Sequence, residues 1–347
     1  QEAQRALIGK PTGSGTIRGV ATHNDTTYTW RDNAGATECL GYKATTAGWV
    51  ALTQSRRLAF TSGGVTEIIE GNTVTGATSA ATGLVIRTVL TSGSWAGGDA
   101  AGWLHITGQT GTFQAENLNV GASLNLATIA ANSTLNSFPA GGKYRCISHN
   151  FYGASNQFRL YGTNDVGYAF EMVNHVMVPI ITGMTTDTPT RIFEIANHLG
   201  LCFPGGSVQM SAIGEPLDWD VLLGATEIGF GTEITDVFQA NESAVAIFGK
   251  QKIAMLTGRD SSDFLLEELT EEAGADEDTA QRIARTMYLD HRGLRSLDAT
   301  QAYGNFKAGS LSARFEAYLR KKRARGVAAV CSLVSRTKSQ YRLYFDD

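Results

Sequence analysis

The sequence has few prolines, few cysteines and few charged residues. Six prolines in 347 residues, beside 39 glycines, exclude a collagen-like or proline-rich chain and predict many tight turns. Charged residues make up 18%, and the formal net charge of −4 argues against a dedicated nucleic-acid binder, which usually carries a basic face. No apolar run reaches the ~20 residues of a membrane-spanning helix, so we expect no membrane insertion of this chain.

Sequence motifs for chemistry are also missing. The four cysteines, Cys39, Cys146, Cys202 and Cys331, form no CxxC pair, so neither a zinc site nor a disulfide framework is predicted. Cys146, Cys202 and Cys331 lie in apolar strand-like runs, which predicts buried free thiols and synthesis in the reducing cytosol. No histidines have metal-ligand spacing, and no GxSxG, Walker or GxGxxG motif precedes a helix. We therefore expect no catalytic residue, no metal and no cofactor, and the chain is predicted not to be an enzyme.

Alternating apolar runs joined by polar turns are what the sequence has in abundance, and they predict antiparallel hairpins. The hairpins start at 144, 191, 244, 287 and 327, in steps of 47, 53, 43 and 40 residues. A blade of a β-propeller repeats at about 40–50 residues. The predicted fold is therefore all-β, with a propeller-like body of about 5–6 antiparallel blades.

One stretch interrupts the repeat. Residues 65–137 are rich in Thr, Gly, Ala and Ser but retain short strand patterns, which predicts an inserted small β-barrel or sandwich; a low-complexity linker is the alternative. The predicted organisation is 1–64 for the first propeller strands, 65–137 for the inserted module and 138–347 for the remaining blades. Helices are predicted near 311–325 and over 276–287, where acidic residues at the start and arginines near the end match the helix dipole.

Two charged runs near the end of the sequence are candidate contact surfaces. Nine acidic residues lie between 260 and 278, and six basic residues lie between 314 and 325. Solvated faces are one interpretation, complementary protomer surfaces in a ring are a second, and contact of the basic run with DNA phosphates is a third. The candidate interface residues are Arg320, Lys321, Lys322, Arg323, Arg325, Glu267, Glu268, Glu271 and Glu272.

Several segments resemble a known protein family. Residues 158–171, FRLYGTNDVGYAFE, resemble the repeat RLYGxNGxxxAFE of tailed-bacteriophage virion proteins. Residues 205–219, 258–264 and 289–294 resemble further segments of such proteins, and 111–118 is similar to a small β-module that recurs in phage structural proteins. The resemblance, which covers roughly half the chain, implies a neck or tail structural protein with a β-propeller body, similar to podovirus nozzle (tail tubular protein B) proteins.

The resemblance also implies a way of working. Such a protein forms a homo-oligomeric ring through which DNA passes. Its expected partners are further copies of itself, other neck or tail proteins and, transiently, the passing DNA. Its place is the virion, after assembly in the host cytoplasm. Because the sequence begins without Met and stops just after a strand, we expect an internal piece, or a processed or partly observed protein.

A different function is left open by the aromatic residues. Asp218, Trp219 and Asp220 form the cluster most similar to a glycosidase site, although a polar turn anchored by a tryptophan is the other interpretation. The alternative function is a carbohydrate-binding or glycan-degrading tail protein for host recognition, in which Trp95, Trp103 or Trp219 stacks on sugars.

Overall fold

The structure is a computed structural model that describes residues 9–154, 157–241, 243–283, 286–297 and 311–346. The chain divides into two compact units. Unit 1 comprises Gln1–His149 and Phe158–Ile181, and unit 2 comprises Asn150–Gln157 and Thr182–Asp347.

Unit 1 contains two blade-like antiparallel sheets with a shared core. The first consists of β1 (Ile17–His23), β2 (Thr26–Asp32), β3 (Cys39–Thr45) and β4 (Gly48–Ala51). The second consists of β13 (Arg145–His149), β14 (Arg159–Thr163), β15 (Ala169–Val173) and β16 (Val176–Ile180), extended by the short parallel strand β5 (Thr53–Gln54). Trp30 is fully buried between the sheets, where its ring is stacked on Tyr144 at 4.8 Å.

Tight turns with left-handed backbone explain these hairpins. Asn24 and Asp25 connect β1 to β2 with φ of 45° and 58°. Asn174 and His175 connect β15 to β16 with φ of 48° and 65°. Two-residue turns of this kind match the right-handed twist of the paired strands.

The rest of unit 1 is a closed barrel inserted between those sheets. Its strands are β6 (Arg56–Gly63), β7 (Thr73–Gly76), β8 (Thr82–Ser92), β9 (Ala100–Thr110), β10 (Glu116–Val120) and β11 (Ser123–Ile129). The pairing of β11 with β6 closes the six strands, and β12 (Thr134–Leu135) pairs with β6 from outside. Large apolar side chains such as Phe60, Leu104 and Phe113 fill the interior, as in other small barrels. The strand β6 precedes residue 65, where the composition changes.

In the residues of unit 2 that the structure describes there are four antiparallel sheets. Their strands are β17 (Arg191–Ile195), β18 (His198–Cys202), β19 (Ser207–Met210) and β20 (Thr226–Gly229); β21 (Ile234–Asn241), β22 (Ala244–Gly249), β23 (Ile253–Thr257) and β24 (Leu265–Thr270); β25 (Gln281–Arg282), β26 (Thr286–Asp290) and β27 (Gly293–Ser296); and β28 (Ala329–Ser335) and β29 (Gln340–Phe345). The helix α1 (Glu316–Ala324) precedes the last sheet, and 3-10 turns occur at Val221–Leu223 and Arg336–Lys338.

The repeat is more regular in the structure than in the hairpin pattern. Counted from the first strand of each sheet, successive sheets begin at 145, 191, 234, 281 and 329, in steps of 46, 43, 47 and 48 residues. The hairpins that start near 244 and 287 are the second and third strands of their sheets, which made the predicted steps uneven. Sequential up-and-down sheets at this spacing have the topology of propeller blades. The predicted fold class, all-β with blade-like sheets and an inserted small barrel, is confirmed.

Two sequence predictions are wrong. The described part of 276–287 is not helical, since β25 and the start of β26 occupy its second half. Here tertiary hydrogen bonds outweigh local helix signals: the Ala280 amide donates to Asp236 at 2.7 Å, and Asp278 adopts φ of 56°. All four cysteines are free thiols, but of the three predicted to be buried only Cys202 is; Cys146 is half-buried and Cys331 is exposed on β28.

Candidate functional site: an ion cluster between barrel and sheet

The segment 158–171 forms one face of the second sheet of unit 1. Arg159 and Tyr161 are two residues apart on β14, so their side chains lie on the same face. Glu171 on β15 is paired with Tyr161 in the antiparallel register and is fully buried. The register therefore places a cation, a phenol and a carboxylate of one short segment side by side.

These three residues contact two charged residues of the barrel. The Arg159 guanidinium donates to Glu171 Oε1 at 3.0 Å, and the Tyr161 hydroxyl donates to the same oxygen at 3.1 Å. Arg87 Nε of β8 lies 3.3 Å from Glu171 Oε2. Glu70, in the loop before β7, accepts from Arg159 at 3.3 Å and lies 3.8 Å from Arg87. We call Glu70, Arg87, Arg159, Tyr161 and Glu171 the barrel–sheet ion cluster.

A β-bulge in β8 makes this contact possible. Val85 is paired with Ile106 but Arg87 with His105, so Ile86 is the extra residue. Val85 faces the barrel interior, whereas Ile86 packs against Val176 and other valines of the second sheet. Because the bulge shifts the alternation, Ile86 contributes apolar packing and Arg87 the ion pair to the same interface.

The cluster is balanced in charge, with two carboxylates and two guanidinium groups. Removing one member of a buried pair typically destabilises a protein by about 3–5 kcal/mol, because the partner is left buried and uncompensated. The arrangement offers no nucleophile poised for reaction. The cluster thus joins the barrel to the sheet through ion pairs and hydrogen bonds.

The chain segments that enter and leave the barrel provide a second connection. The Ser55 hydroxyl donates to the Met177 carbonyl of β16 at 2.6 Å. Asn136 Nδ2 donates to Ser55 Oγ at 2.8 Å and lies 3.3 Å from His105 Nδ1. Burial lowers the pKa of His105 to about 3, with the cations Arg57 and Arg87 adding to the effect. The imidazole is therefore neutral here, and this connection does not change its charge around neutral pH.

Some of the predicted basic interface residues already have partners within unit 2, and others are exposed. Arg323 forms an ion pair with Asp276 of the same chain, and Arg320 pairs with Glu316 at 3.2 Å. Lys322 Nζ lies 5.6 Å from the ring centroid of Tyr318 and 5.5 Å from that of Phe345. Lys321 and Arg325 are exposed. The predicted acidic and basic runs thus already meet once within one chain, through Asp276 and Arg323.

The predicted acidic interface residues lie along β24 and just after it. All four side chains, those of Glu267, Glu268, Glu271 and Glu272, are exposed. Glu268 forms an ion pair with Lys252 at 2.8 Å. Glu271 lines a cleft of about 540 Å³ together with Thr232, Glu233, Lys250, Gln251 and Lys252. Lys252, in the connection between β22 and β23, therefore partly neutralises this acidic strand within the chain.

The three candidate sugar-stacking tryptophans have different local surroundings. Trp95 belongs to the barrel core, 7% exposed and stacked on Phe60 at 5.2 Å, so its ring face is occupied. Trp103 lies on the outside of the barrel with the Arg57 guanidinium 5.0 Å from its ring centroid. Trp219 belongs to unit 2 and is half-buried.

The two carboxylates beside Trp219 shape a turn. Asp218 accepts the amide of Asp220 at 2.9 Å, and Asp220 accepts the amide of Leu222 at 2.9 Å. Both side chains therefore hydrogen-bond the backbone of their own loop, as aspartates in turns commonly do. This arrangement favours the polar-turn interpretation of the segment over a pair of carboxylates facing a sugar.

Sequence reasoning missed Glu70 and Arg87. Neither belongs to a recognisable motif, and the bulge that orients Arg87 leaves no clear trace in the alternation of the insertion. Among the residues described, no three His, Cys, Asp or Glu side chains are grouped to hold a metal ion. No helix within those same ranges is long and apolar enough to cross a membrane.

Comparisons with known proteins add little. No protein-family model matches the chain, and no curated protein matches it. Among solved structures, a chain described as "YCF48 bound to D1 peptide" is similar at a TM-score of 0.32 and 10% sequence identity, over 81% of this chain and 92% of that one. A likeness of this size supports no statement about partners or activity.

Proposed function

We propose that this protein is a structural subunit of a tailed-phage neck or tail, which acts by forming a homo-oligomeric ring for DNA passage rather than by catalysis. The sequence resemblance of residues 158–171 to tailed-phage virion proteins is the starting point. Other neck or tail proteins and the passing DNA are the further partners in this proposal, and the virion, assembled in the host cytoplasm, is its location.

The observation that carries the proposal is the role of that same segment. Its Arg159, Tyr161 and Glu171 form the sheet side of the barrel–sheet ion cluster. The residues that resemble a virion-protein motif thus hold two modules of unit 1 in a fixed orientation. A fixed orientation is what a repeated subunit of a ring needs, because each copy must present the same surfaces at the same angle.

The proposal is tested by measuring the mass of the purified chain over a wide concentration range by light scattering, with negative-stain imaging of the same samples. We expect closed rings with one copy number. A monomer at every concentration, or aggregates of undefined size, would contradict self-assembly.

Glycan binding is the outcome that would replace this proposal. The measurement is titration with polysaccharides of candidate hosts, using Trp103→Ala and Asp218→Asn as variants. Saturable binding that either variant abolishes would favour the carbohydrate-binding function. We expect no saturable binding, because Trp103 is covered by Arg57 and Asp218 is engaged by the Asp220 amide.

A further inference from the structure

Unit 2 carries three consecutive exposed aliphatic residues on a turn of fixed shape. Val221, Leu222 and Leu223 are 75%, 91% and 61% exposed. The Asp220 carboxylate caps the start of the turn at the Leu222 amide, and Gly224, with φ of 102°, closes it by donating to the Val221 carbonyl at 3.2 Å. We call Val221, Leu222 and Leu223 the apolar turn.

Exposure on this scale is unusual for adjacent residues. Single exposed aliphatic side chains are common on soluble proteins, but contiguous ones mark contact sites. Because the turn is capped at both ends, its side chains are held out to solvent instead of collapsing onto the loop. The apolar turn therefore has the character of an anchor for a partner surface.

The chemistry around the apolar turn indicates what that partner carries. From residue 192 to residue 249, a stretch of 58 residues, the sequence has aspartates and glutamates but no lysine and no arginine. Asp218 and Asp220 directly precede the turn. Charge complementarity therefore favours a partner surface that is apolar at its centre and basic at its border.

Such a surface exists on the same chain, at α1 and the residues just before it. Phe315 and Tyr318 are 65% and 56% exposed and are three positions apart, so they are neighbours on the helix surface. The exposed cations Arg314, Lys321 and Arg325 border them. We call these five residues the α1 surface.

We infer that the apolar turn of one copy packs on the α1 surface of the next copy, so that the partner is a second copy of this chain. If the apolar turns of two copies packed on each other, the carboxylates beside them would repel. If two α1 surfaces packed on each other, their cations would repel. The favoured contact therefore joins two different surfaces, and a contact of that kind produces rings or filaments. This inference rests on the proposed function and specifies where its subunits meet.

The test uses one variant on each surface and two matched controls. Leu222→Glu disrupts the apolar turn, and Phe315→Glu disrupts the α1 surface. Leu265→Glu is the first control, because Leu265 is 60% exposed on the acidic strand β24. Val65→Glu is the second, because Val65 is 79% exposed in unit 1. Circular dichroism and the unfolding midpoint of each variant establish that it is folded.

We expect each disrupting variant to weaken association by roughly 30-fold or more, the size of effect typical of a central anchor residue. Both controls should assemble like the unchanged protein. Assembly by Leu222→Glu at the normal concentration would overturn the inference. So would loss of assembly in Leu265→Glu alone, which would place the contact at β24.

Mixing the two disrupting variants gives the sharpest readout. Leu222→Glu retains the α1 surface, and Phe315→Glu retains the apolar turn. An equal mixture should therefore form heterodimers that cannot extend, whereas each variant alone stays monomeric. A mixture that remains monomeric would contradict the pairing of these two surfaces. If the unchanged protein does not assemble at all, the proposed function fails; if it assembles but the variants do too, only this inference fails.

Discussion

The two units use charged side chains in different ways. Unit 1 buries a balanced set, with Glu171 fully enclosed between Arg87 and Arg159, at the junction of barrel and sheet. Unit 2 also buries charge, at Asp236 and in the pair of Asp290 with Arg295, but it carries long charged runs at the surface, on β24 and α1, next to exposed apolar residues. Charge in unit 1 therefore fixes one module on another within the chain. The charged runs of unit 2 instead stay largely in contact with solvent.

The largest expected effect concerns the buried cluster. Glu171→Ala removes the fully buried carboxylate that contacts both Arg87 and Arg159, and we expect unit 1 to lose about 3–5 kcal/mol of unfolding free energy. Denaturant unfolding measures this. Glu70→Gln is the control: the Glu70 side chain is 34% exposed, so we expect a loss of about 1 kcal/mol or less. Equal effects of the two variants would contradict a buried cluster centred on Glu171.

Unit 2 contains a buried carboxylate that should give it a distinctive pH dependence. Burial raises the pKa of Asp236 to about 7, although the amides of Ala280 and Val237 donate to it. In the unfolded chain the pKa of this aspartate is near 3.8, so between pH 4 and 7 the folded state binds a proton that the unfolded state has released. The stability of unit 2 therefore falls as pH rises from about 4 to 7. Asp236→Asn should flatten this dependence, as measured by hydrogen exchange of unit 2 peptides corrected for intrinsic rates. An unchanged slope in the variant would show that another group is responsible.

The barrel of unit 1 should respond to pH in the opposite direction. Burial alone would raise the pKa of Glu116, but hydrogen bonds from the Ser79 hydroxyl and the amides of Ser79, Thr78 and Gln114 outweigh burial and lower the pKa to about 2. Glu116 therefore contributes its full stabilisation at pH values above 4.5, the usual pKa of a glutamate, and this stabilisation is lost as pH falls towards 2.

Glu116→Gln should therefore weaken the barrel at pH 6 and remove most of its sensitivity between pH 5 and 2. Hydrogen exchange of peptides from β7 and β10 follows this change, with unit 2 peptides as the internal reference. A variant barrel that still loses protection as steeply in acid would contradict the role of Glu116.

The smallest effects are expected at the charged surface of unit 2. Arg323→Glu breaks the pair with Asp276 and should cost about 0.2–1 kcal/mol, since both side chains are partly exposed. Lys321→Glu should leave stability within about 0.5 kcal/mol of the unchanged protein. Thermal unfolding of both variants measures the difference. A larger loss for Lys321→Glu would mean that this lysine has a structural role in its own chain.

Much of the fold follows from local sequence pattern. The alternation in 144–151, 191–203 and 244–256 predicts strands because each residue's side chain faces one side of a sheet, and the structure has strands there. The barrel strands near 84–90 and 102–106 are equally visible. Closure of the barrel is not, because the pairing of Thr128 with Thr61 joins residues far apart in the sequence.

The candidate sites depend more on tertiary contacts. Arg159, Tyr161 and Glu171 lie in a recognisable segment, but their partners Glu70 and Arg87 lie in the insertion, where a bulge sets the side-chain direction. The charged runs are plain in the sequence, yet the pairing of Arg323 with Asp276 within the chain is not. Likewise, the exposure of Leu222 depends on the capped turn, since apolar residues in sequence usually predict burial.

The most direct measurement of the central claim is cryo-electron microscopy of the assembled chain. We expect closed rings of identical subunits, with density for the barrel as well defined as that of the sheet β13–β16 on which it packs. Particles that are single copies, or rings in which the barrel density is smeared while the sheet is sharp, would contradict a rigid subunit built for assembly.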